Sequence, residues 1–409
     1  MPEETTSYEF ATTHFRKLIQ EQVERTQKIS RPTEWLDYSK LPKVVIGVIG
    51  GDGIGPIIAR EAKRAMEHLL KEEIEEGRVE VRDIGGLTIE RRIKMMSALP
   101  DDVLAEIKKC HVLLKGPTTT PEEGSGIPNI ESANIAIRRA FDLFANVRPV
   151  RIPSQGIDWV FFRENTEGEY MLGSRGLMVT PDLAVDFKII TKPGAERIIR
   201  LAFEHARKTG RKKVTVVTKA NVVKTTDGLF LETAKSVAKD FPEIRWDGWY
   251  IDVFTAKLID EKRRREFEVV VLPNLYGDIV TDEAAELQGG VGTAGSANLG
   301  ARFGMFEAIH GSAPRMITEG RGAYADPLSL MRATVMMLEH VGMMEKGRRL
   351  GKALDLCSIF EPKVRITGRQ DGATANQFGD YVISTLDDPR LEPKWDSYQS
   401  IPPTVGLSR

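Results

Sequence analysis

The stretch VVIGVIGGDGIGPIIAREAKRAMEHLLKEEIEEG (residues 44–77) joins a β-branched apolar run to a longer amphipathic run through a glycine-rich turn. The apolar run predicts a buried strand, and apolar residues at three- and four-residue spacing from 57 onward predict a helix that ends at Gly77. A second helix of this kind is predicted at 193–210. Because parallel strands need crossover helices, the alternation predicts an α/β fold with a mostly parallel sheet. The other predicted strands are 111–116, 159–165, 213–221 and 267–274.

The composition is that of an ordinary folded globular protein. With 409 residues, the chain is long enough for roughly two to three domain-sized units. Its 58 Lys and Arg residues balance 59 Asp and Glu residues, and the formal net charge is -1. A protein without a basic field has no general attraction for nucleic acid phosphates or anionic lipids, so neither a nucleic acid nor a membrane is expected as a partner.

The expected compartment is the cytoplasm. The two cysteines, Cys110 and Cys357, are too few for a disulfide framework or a four-thiolate zinc site, which fits a reducing environment. No apolar run approaches the ~20 residues that cross a bilayer. The polar start MPEETTSYEF (1–10) resembles neither a secretory signal nor a transit peptide.

The glycine-rich segment GGDGIGP (50–56) is predicted to be a tight turn rather than a dinucleotide cradle. The spacing of Gly51, Gly53 and Gly55 differs from the G-x-G-x-x-G pattern of a Rossmann turn. Asp52 would also put a negative charge where a pyrophosphate would lie. No cofactor is assigned to this turn.

Polar residues follow several predicted strands, which favours an enzyme because active sites of open α/β sheets gather at the carboxyl ends of strands. After the strand at 267–274, Asp278 and Asp282 stand four residues apart at the start of a helix, where both carboxylates face one side. Such hard oxygen ligands suit Mg²⁺ or Mn²⁺, with Asp252 as a third acid. Compensation of the helix dipole is the alternative interpretation.

Arginines at strand and helix ends suit a small polycarboxylate, because the guanidinium fork pairs two-to-two with carboxylates. A solvated basic face is the alternative interpretation of the same residues. Lysines and a tyrosine near strand ends, Lys219, Lys224 and Tyr170, are candidates for proton transfer, although most such residues are structural. The candidate ligands of the polycarboxylate are Ser132, Asn134, Arg138, Arg148 and Arg163.

Seven segments, in this order, resemble the isocitrate and isopropylmalate dehydrogenase family of metal-dependent decarboxylating dehydrogenases, closest to its NAD-type isocitrate members. They are GDGIGP, LLKGPTTTP, FDLFANVRP, FRENTEGEY, NLYGDIVTD, EAIHGSAP and DPLSLMRATVMMLEHVG. The resemblance implies an isopropylmalate dehydrogenase-like two-domain fold, not a Rossmann fold. The implied division is an N-terminal extension (1–43, helical through 10–23 and interrupted near Pro32), a large cofactor-side domain (44–143 and 289–409), and a small domain (144–288) with a dimer-forming arm near 168–190.

The resemblance also implies residue roles. Asp278 and Asp282 would bind Mg²⁺ or Mn²⁺ with Asp252 of the partner subunit, and Tyr170 would form the acid/base pair with the partner's Lys224. Arg138, Arg148 and Arg163 would hold substrate carboxylates in a homodimer with shared active sites, with larger assemblies left open. The implied cofactor-binding residues are Lys115, Thr119, Thr120, Glu307, His310, Gly311, Ser312, Ala313, Arg315 and Asp326.

Within the family, Ser132 and Asn134 match the pattern of isocitrate enzymes, whereas isopropylmalate enzymes place apolar residues there. Burying these polar groups against an alkyl chain would cost ~1 to 3 kcal/mol each. The expected reaction is therefore oxidative decarboxylation of isocitrate to 2-oxoglutarate and CO₂, with homoisocitrate or 3-isopropylmalate as alternative substrates and a noncatalytic regulatory subunit as an alternative role. The pair Arg315-Met316 matches neither cofactor pattern of the family. The segments RENTEGEY and DLFANVRP resemble the NAD-type members, so NAD is preferred with NADP as the alternative.

Overall fold

The computed structural model describes residues 2–31, 34–121, 128 and 130–399, without the side chains of 2–7, 174, 291 and 399. The helices are α1 (Pro2–Ile29), α2 (Gly55–Leu69), α3 (Lys71–Glu75), α4 (Ile89–Met95), α5 (Asp101–Ile107), α6 (Ala133–Ala140), α7 (Lys192–Thr209), α8 (Thr226–Val237), α9 (Ile251–Leu258), α10 (Asn274–Gln288), α11 (Pro314–Thr318), α12 (Leu328–His340), α13 (Met344–Asp355), α14 (Ala375–Asp387) and α15 (Leu391–Gln399). The strands are β1 (Val44–Ile49), β2 (Val79–Asp83), β3 (Val112–Lys115), β4 (Ala145–Ile152), β5 (Ile157–Glu164), β6 (Leu177–Thr180), β7 (Leu183–Val185), β8 (Lys213–Thr218), β9 (Arg245–Tyr250), β10 (Val269–Leu272), β11 (Gly295–Leu299) and β12 (Gly304–Ala308). None of the described helices is long and apolar enough to cross a lipid bilayer.

The chain divides into two compact units. The first contains Met1–Glu34, Phe144–Asn146 and Trp159–Thr281, and the second contains Trp35–Leu143, Val147–Asp158 and Asp282–Arg409. In this division residues 1–34 belong to the first unit, and residues 147–158 belong to the second unit. The division at 44, 144 and 289 stays a prediction.

The first unit is built on the parallel strands β5, β10, β8 and β9, in that order. Every residue of β10 is buried, as expected for a central parallel strand covered on both faces. Thr191 caps the start of helix α7, since its side chain accepts a hydrogen bond from Gly194 N. Gly210, in the left-handed conformation, caps the end of the helix. Its apolar face includes the fully buried Phe203. The capped start and glycine stop explain why the sequence pattern located this helix to within one residue.

The second unit orders its strands β2, β1, β3, β12 and β11. Strands β2, β1, β3 and β12 are parallel, whereas β11 pairs with β12 in antiparallel register. The core includes Ile46, Met66, Leu114 and Met331, all with no exposed surface. The predicted α/β class is confirmed.

The segment after β1 is a tight turn, as predicted. Gly51 and Gly53 have φ values of +76° and +57°, a region that side chains rarely adopt. A Cβ at Gly53 would lie 2.0 Å from the carbonyl oxygen of Ser312, and one at Gly51 would lie 2.2 Å from that of Pro117. The Asp52 carboxylate accepts hydrogen bonds from the backbone of Ile89 and Thr119, both at 2.7 Å, so it anchors two neighbouring loops.

Several boundaries differ from the predictions. The helix predicted across 57–77 breaks at Leu70 into α2 and α3, and α1 is longer than 10–23. The predicted interruption at Pro32 lies outside the described residues. Within 168–190 the chain forms the antiparallel hairpin of β6 and β7, while the role of this segment in dimer formation stays a prediction.

Candidate active site

The first unit brings together three predicted site residues at the carboxyl end of β5. Arg163 Nη1 donates to Asp278 Oδ1, and the Tyr170 hydroxyl donates to Asp278 Oδ2 at 2.8 Å. The Arg163 side chain is 2% exposed, whereas that of Asp278 is 34% exposed. The carboxylate is therefore held on a buried cation with one side open to solvent or a ligand.

Asn274 and Gly277 allow Arg163 to lie in its observed position. The sequence pattern did not predict this role for either residue. Asn274 Oδ1 accepts from Arg163 Nε at 2.9 Å and from Nη2 at 2.7 Å. A Cβ at Gly277 would lie 2.5 Å from Arg163 Cγ, so only glycine lets the arginine cross α10. The signal was present in the NLYGD segment, because an asparagine and a glycine interrupt an otherwise ordinary helix start.

Tyr170 is a proton donor rather than a phenolate at neutral pH. Burial, and next the nearby Asp278 carboxylate, raise the pKa of Tyr170 to about 12. The Arg163 guanidinium, with its carbon 5.4 Å from the ring centroid, opposes this shift but does not reverse it. The hydroxyl is thus protonated and aimed at a carboxylate.

Asp282 lies four residues after Asp278 on α10 and has its own arginine. Arg148 Nη1 donates to Asp282 Oδ1 at 2.8 Å, with the aspartate side chain 59% exposed. Arg148 itself is buried. This pair lies in the second unit, so each of the two predicted metal ligands is matched by a predicted substrate arginine.

The donor chemistry of α10 fits a hard divalent cation, because two carboxylates stand on consecutive turns with exposed oxygens. A complete site needs more ligands, and in the described part of the chain no three His, Cys, Asp or Glu side chains gather into one. Asp252, the third predicted acid, lies in the first turn of α9, and its side chain is 60% exposed. One chain therefore has two candidate carboxylates on α10 and the third predicted acid, Asp252, on α9.

Lys219 is the lysine that contacts Asp252. Its Nζ donates to Asp252 Oδ1 at 2.6 Å, and this hydrogen bond lowers the pKa of Asp252. The Lys219 backbone N–H is fixed by Asp227 Oδ2 at 2.6 Å. Lys224, the lysine selected by resemblance, is exposed in the turn before α8. Both follow β8, and position at the strand end was the signal that pointed to Lys219.

Glu307 is the centre of a buried charged cluster in the second unit. Arg138 Nη2 donates to its Oε1 at 3.1 Å, and Lys115 Nζ lies 3.6 Å from its Oε2. Asn298, which the sequence analysis missed, donates to Oε1 at 2.8 Å. Burial opposes ionisation of Glu307, but Lys115 and Arg138 outweigh burial and lower its pKa. Burial lowers the pKa of Lys115, partly offset by Glu307. Lys115, Arg138 and Glu307 are thus brought together.

The loops after β3 and β12 meet through two other predicted cofactor residues. The hydroxyls of Thr119 and Ser312 are 2.7 Å apart, and Ser312 is buried. Ala313, the next residue, has a φ of +44°. Thr120 and Gly311 are exposed beside them. These loops bring backbone N–H groups and hydroxyls to one surface of the second unit, which is the chemistry that phosphate or ribose groups require.

Three more predicted cofactor residues have defined partners. His310 Nδ1 lies 3.0 Å from the carbonyl oxygen of Gly311, and burial lowers the pKa of His310, so its ring is neutral at pH 7. Arg315 is 85% exposed and bonds Glu319 at 2.5 Å. Asp326 accepts from Leu328 N at 2.9 Å, and burial raises the pKa of Asp326 to about 6.

The start of α6 leaves polar groups available for a ligand. Ser132 is the N-cap residue, but its side chain makes no capping hydrogen bond to the described helix. Asn134 Oδ1 accepts from the Thr118 hydroxyl at 3.3 Å. Arg138 Nε is buried and has no hydrogen-bond partner among the described residues. A buried guanidinium N–H without a partner indicates that an acceptor is supplied from outside these residues.

Known proteins are similar to this chain in sequence. A family model described as isocitrate/isopropylmalate dehydrogenase matches residues 45–365. The mitochondrial isocitrate dehydrogenase (NAD) subunit 2 of Schizosaccharomyces pombe is 37% identical over 351 residues, covering 83% of this chain and 87% of that protein. Homoisocitrate dehydrogenase of Methanocaldococcus jannaschii is 37% identical over 328 residues, covering 76% and 89%.

A solved structure has a similar fold. The crystal structure of isocitrate dehydrogenase from Methylococcus capsulatus superposes with a TM-score of 0.72 at 34% identity and covers 84% of this chain and 99% of that one. The match confirms the predicted isopropylmalate dehydrogenase-like fold and excludes a Rossmann fold. Together with the family match across residues 45–365, it shows that the chain belongs to the isocitrate/isopropylmalate dehydrogenase family.

Proposed function

We propose that this protein oxidatively decarboxylates isocitrate to 2-oxoglutarate and CO₂, with NAD as the hydride acceptor and Mg²⁺ or Mn²⁺ as the required ion. The observation that carries the proposal is the Asp278 carboxylate held between Arg163 and Tyr170 at the end of β5. This arrangement places a cation for a substrate carboxylate and a protonated acid each within hydrogen-bond distance of one carboxylate, which can serve as a hard metal ligand.

The arginines account for a substrate with several carboxylates. Arg138, Arg148 and Arg163 are all buried, and each guanidinium binds a carboxylate of the protein. Substrate carboxylates can compete for Arg148 and Arg163 when a cation takes over the aspartates of α10. Ser132 and Asn134 add neutral polar groups for a further carboxylate, which favours isocitrate over 3-isopropylmalate.

Proton transfers are assigned to Tyr170 and to a lysine of the partner subunit. Tyr170 holds its proton at neutral pH and would deliver it to the carbon that loses CO₂. Lys219 of the partner subunit, beside the partner's Asp252, would accept the proton of the substrate hydroxyl; by resemblance the partner's Lys224 is the alternative. A bound divalent ion would act as a Lewis acid at the hydroxyl oxygen, and a bound nicotinamide would take the hydride.

The position of Asp252 and Lys219 supports a homodimer. The side chains next to Asp252 are apolar and exposed in a single chain, with Tyr250 at 43% and Val253 at 42%. Val222, in the turn between β8 and α8 that also contains Lys219, is 66% exposed. Exposed apolar side chains around an ion pair suit a surface that a second copy covers, so we propose that each active site takes Asp252 from the partner subunit.

The test is a matrix of initial rates with isocitrate, homoisocitrate and 3-isopropylmalate, each with NAD and with NADP. We expect the highest kcat/KM with isocitrate and NAD, and loss of that rate when EDTA removes the divalent ion, restored by Mn²⁺ or Mg²⁺. A higher kcat/KM with 3-isopropylmalate would contradict the role given to Ser132 and Asn134. No rate with any pair would favour a noncatalytic subunit of the same fold.

A further inference from the structure

Helix α1 takes no part in the chemistry proposed above, yet one of its side chains enters a buried charged cluster. Arg25 donates from Nη1 to Glu167 Oε1 at 2.8 Å and from Nη2 to the Thr166 hydroxyl at 3.3 Å. The Arg25 side chain is 16% exposed, and that of Glu167 is 0% exposed. Removing a cation from a fully buried carboxylate leaves a charge that water cannot solvate, which is costly.

Glu167 is one of two carboxylates buried in the same turn. Glu164 accepts hydrogen bonds from the Thr166 hydroxyl at 2.8 Å and from Glu167 N at 2.6 Å. Burial, and next the charge of Glu167, raise the pKa of Glu164 to about 7. The turn therefore depends on nearby cations, which are Arg25 and Arg197, and Arg197 Nη2 donates to the Thr166 hydroxyl at 3.0 Å.

The Glu167 carboxylate is also fixed against the start of α7. It accepts from Thr191 N at 2.9 Å and from the Thr191 hydroxyl at 2.6 Å. A Cβ at Gly194 would lie 2.2 Å from Glu167 Oε1, so the carboxylate fills the space that this glycine leaves. These contacts fix the Glu167 carboxylate in one position, where the Arg25 guanidinium binds it.

The turn that Arg25 binds leads directly to the catalytic groups. Asn274 Nδ2 donates to the carbonyl oxygen of Glu167 at 2.8 Å, and Asn274 Oδ1 holds Arg163. Tyr170 follows Glu167 by three residues and donates to Asp278. A displacement of the Glu167 backbone would therefore displace both the arginine and the tyrosine of the active site.

We propose that Arg25 of the N-terminal helix is a positioning residue, which binds Glu167 and thereby holds the turn at 164–170 in the conformation that presents Arg163 and Tyr170 to the substrate. Its effect on turnover rests on the proposed function, whereas its effect on the turn does not. The N-terminal helix is then part of the support of the active site.

Hydrogen exchange of the full-length protein tests the effect on the turn. We expect Arg25→Gln to speed exchange of the amides of Thr166, Glu167 and Thr191 by about tenfold or more, because those N–H groups donate to the two buried carboxylates. Arg16→Gln, the same charge change at an exposed position of α1, should leave these rates unchanged. Equal rates in the two variants would overturn the proposal.

A double substitution separates positioning from general loss of packing. In a Glu167→Gln background the buried charge is gone, so Arg25→Gln should then change the exchange of Thr166 by less than about twofold. An undiminished tenfold change in that background would overturn the proposal, because the effect would not pass through Glu167. This comparison also covers the case in which Arg25→Gln alone folds poorly.

Kinetics test the consequence for turnover. We expect Arg25→Gln to lower kcat with isocitrate about tenfold and to leave the KM for the dinucleotide unchanged, with Arg25→Lys regaining at least half of the lost kcat. Unchanged kcat in Arg25→Gln despite faster exchange would overturn the catalytic part. If the wild-type protein turned over no substrate, the proposed function would fail, and the exchange experiment would still decide the role of Arg25 in the turn.

Discussion

Replacing Asp278 by Asn is expected to reduce turnover with isocitrate by about a thousandfold or more. The neutral amide keeps the size of the side chain but loses the charge that would bind the divalent ion. It also replaces one of the two acceptor oxygens that hold Arg163 and Tyr170 by an N–H donor. One substitution thus affects the ion, the substrate cation and the acid together.

The fold is expected to tolerate the same change. Arg163 keeps its two hydrogen bonds to Asn274, and the Asp278 side chain is one-third exposed. The midpoint temperature of thermal unfolding should therefore remain close to that of the wild type. Asp101→Asn, at an exposed aspartate that begins α5, is the matched control and should retain full turnover. Near-normal turnover in Asp278→Asn would remove the metal assignment.

Lys219→Gln is expected to have the second large effect, a loss of about a thousandfold in kcat, whereas Lys224→Gln is expected to lose less than about threefold. General acid and base groups typically contribute 10² to 10⁴ in rate. Lys219 contacts Asp252 at 2.6 Å and is anchored at its backbone by Asp227. Lys224 is exposed near the same strand end, so it is the lysine with which Lys219 is compared.

The kcat values of the two variants, measured side by side with saturating isocitrate and NAD, decide between the two lysines. The reverse result, with the large loss in Lys224→Gln, would restore the assignment based on resemblance and leave Lys219 as a structural partner of Asp252.

The strands and helices that could be predicted are those with strong local signals. The strand predicted at 267–274 contains three consecutive valines, and the helix at 193–210 has a threonine cap and a glycine stop, so local residues decide the type of each element. The break at Leu70 and the antiparallel pairing of β11 were not predictable. The run through Leu70 is periodic across the break, and neither β11 nor its partner β12 was among the predicted strands.

The candidate site was predictable in its charged residues and not in their supports. Asp278 and Arg163 stood out because carboxylates and guanidinium groups at strand ends suggest chemistry. Asn298 gave no such signal, because a buried amide that serves Glu307 looks like any strand residue until the strands are paired. The same reason hid Arg25, whose partner Glu167 is 142 residues away in sequence.

The arrangement proposed for each active site combines two protomers, with Asp278 from one and Asp252 from the other. It predicts that Asp278→Asn and Asp252→Asn are each nearly inactive as pure dimers. In a hybrid dimer that carries one variant on each chain, one of the two sites regains both native aspartates, and the other loses both.

The most direct test is therefore the turnover of an equimolar mixture of the two variants after their subunits have exchanged. Random pairing makes about half of the dimers hybrid with one intact site each, so the mixture is expected to reach about a quarter of wild-type activity. A mixture no more active than its two parents would contradict the shared site and, with it, the role of Asp252.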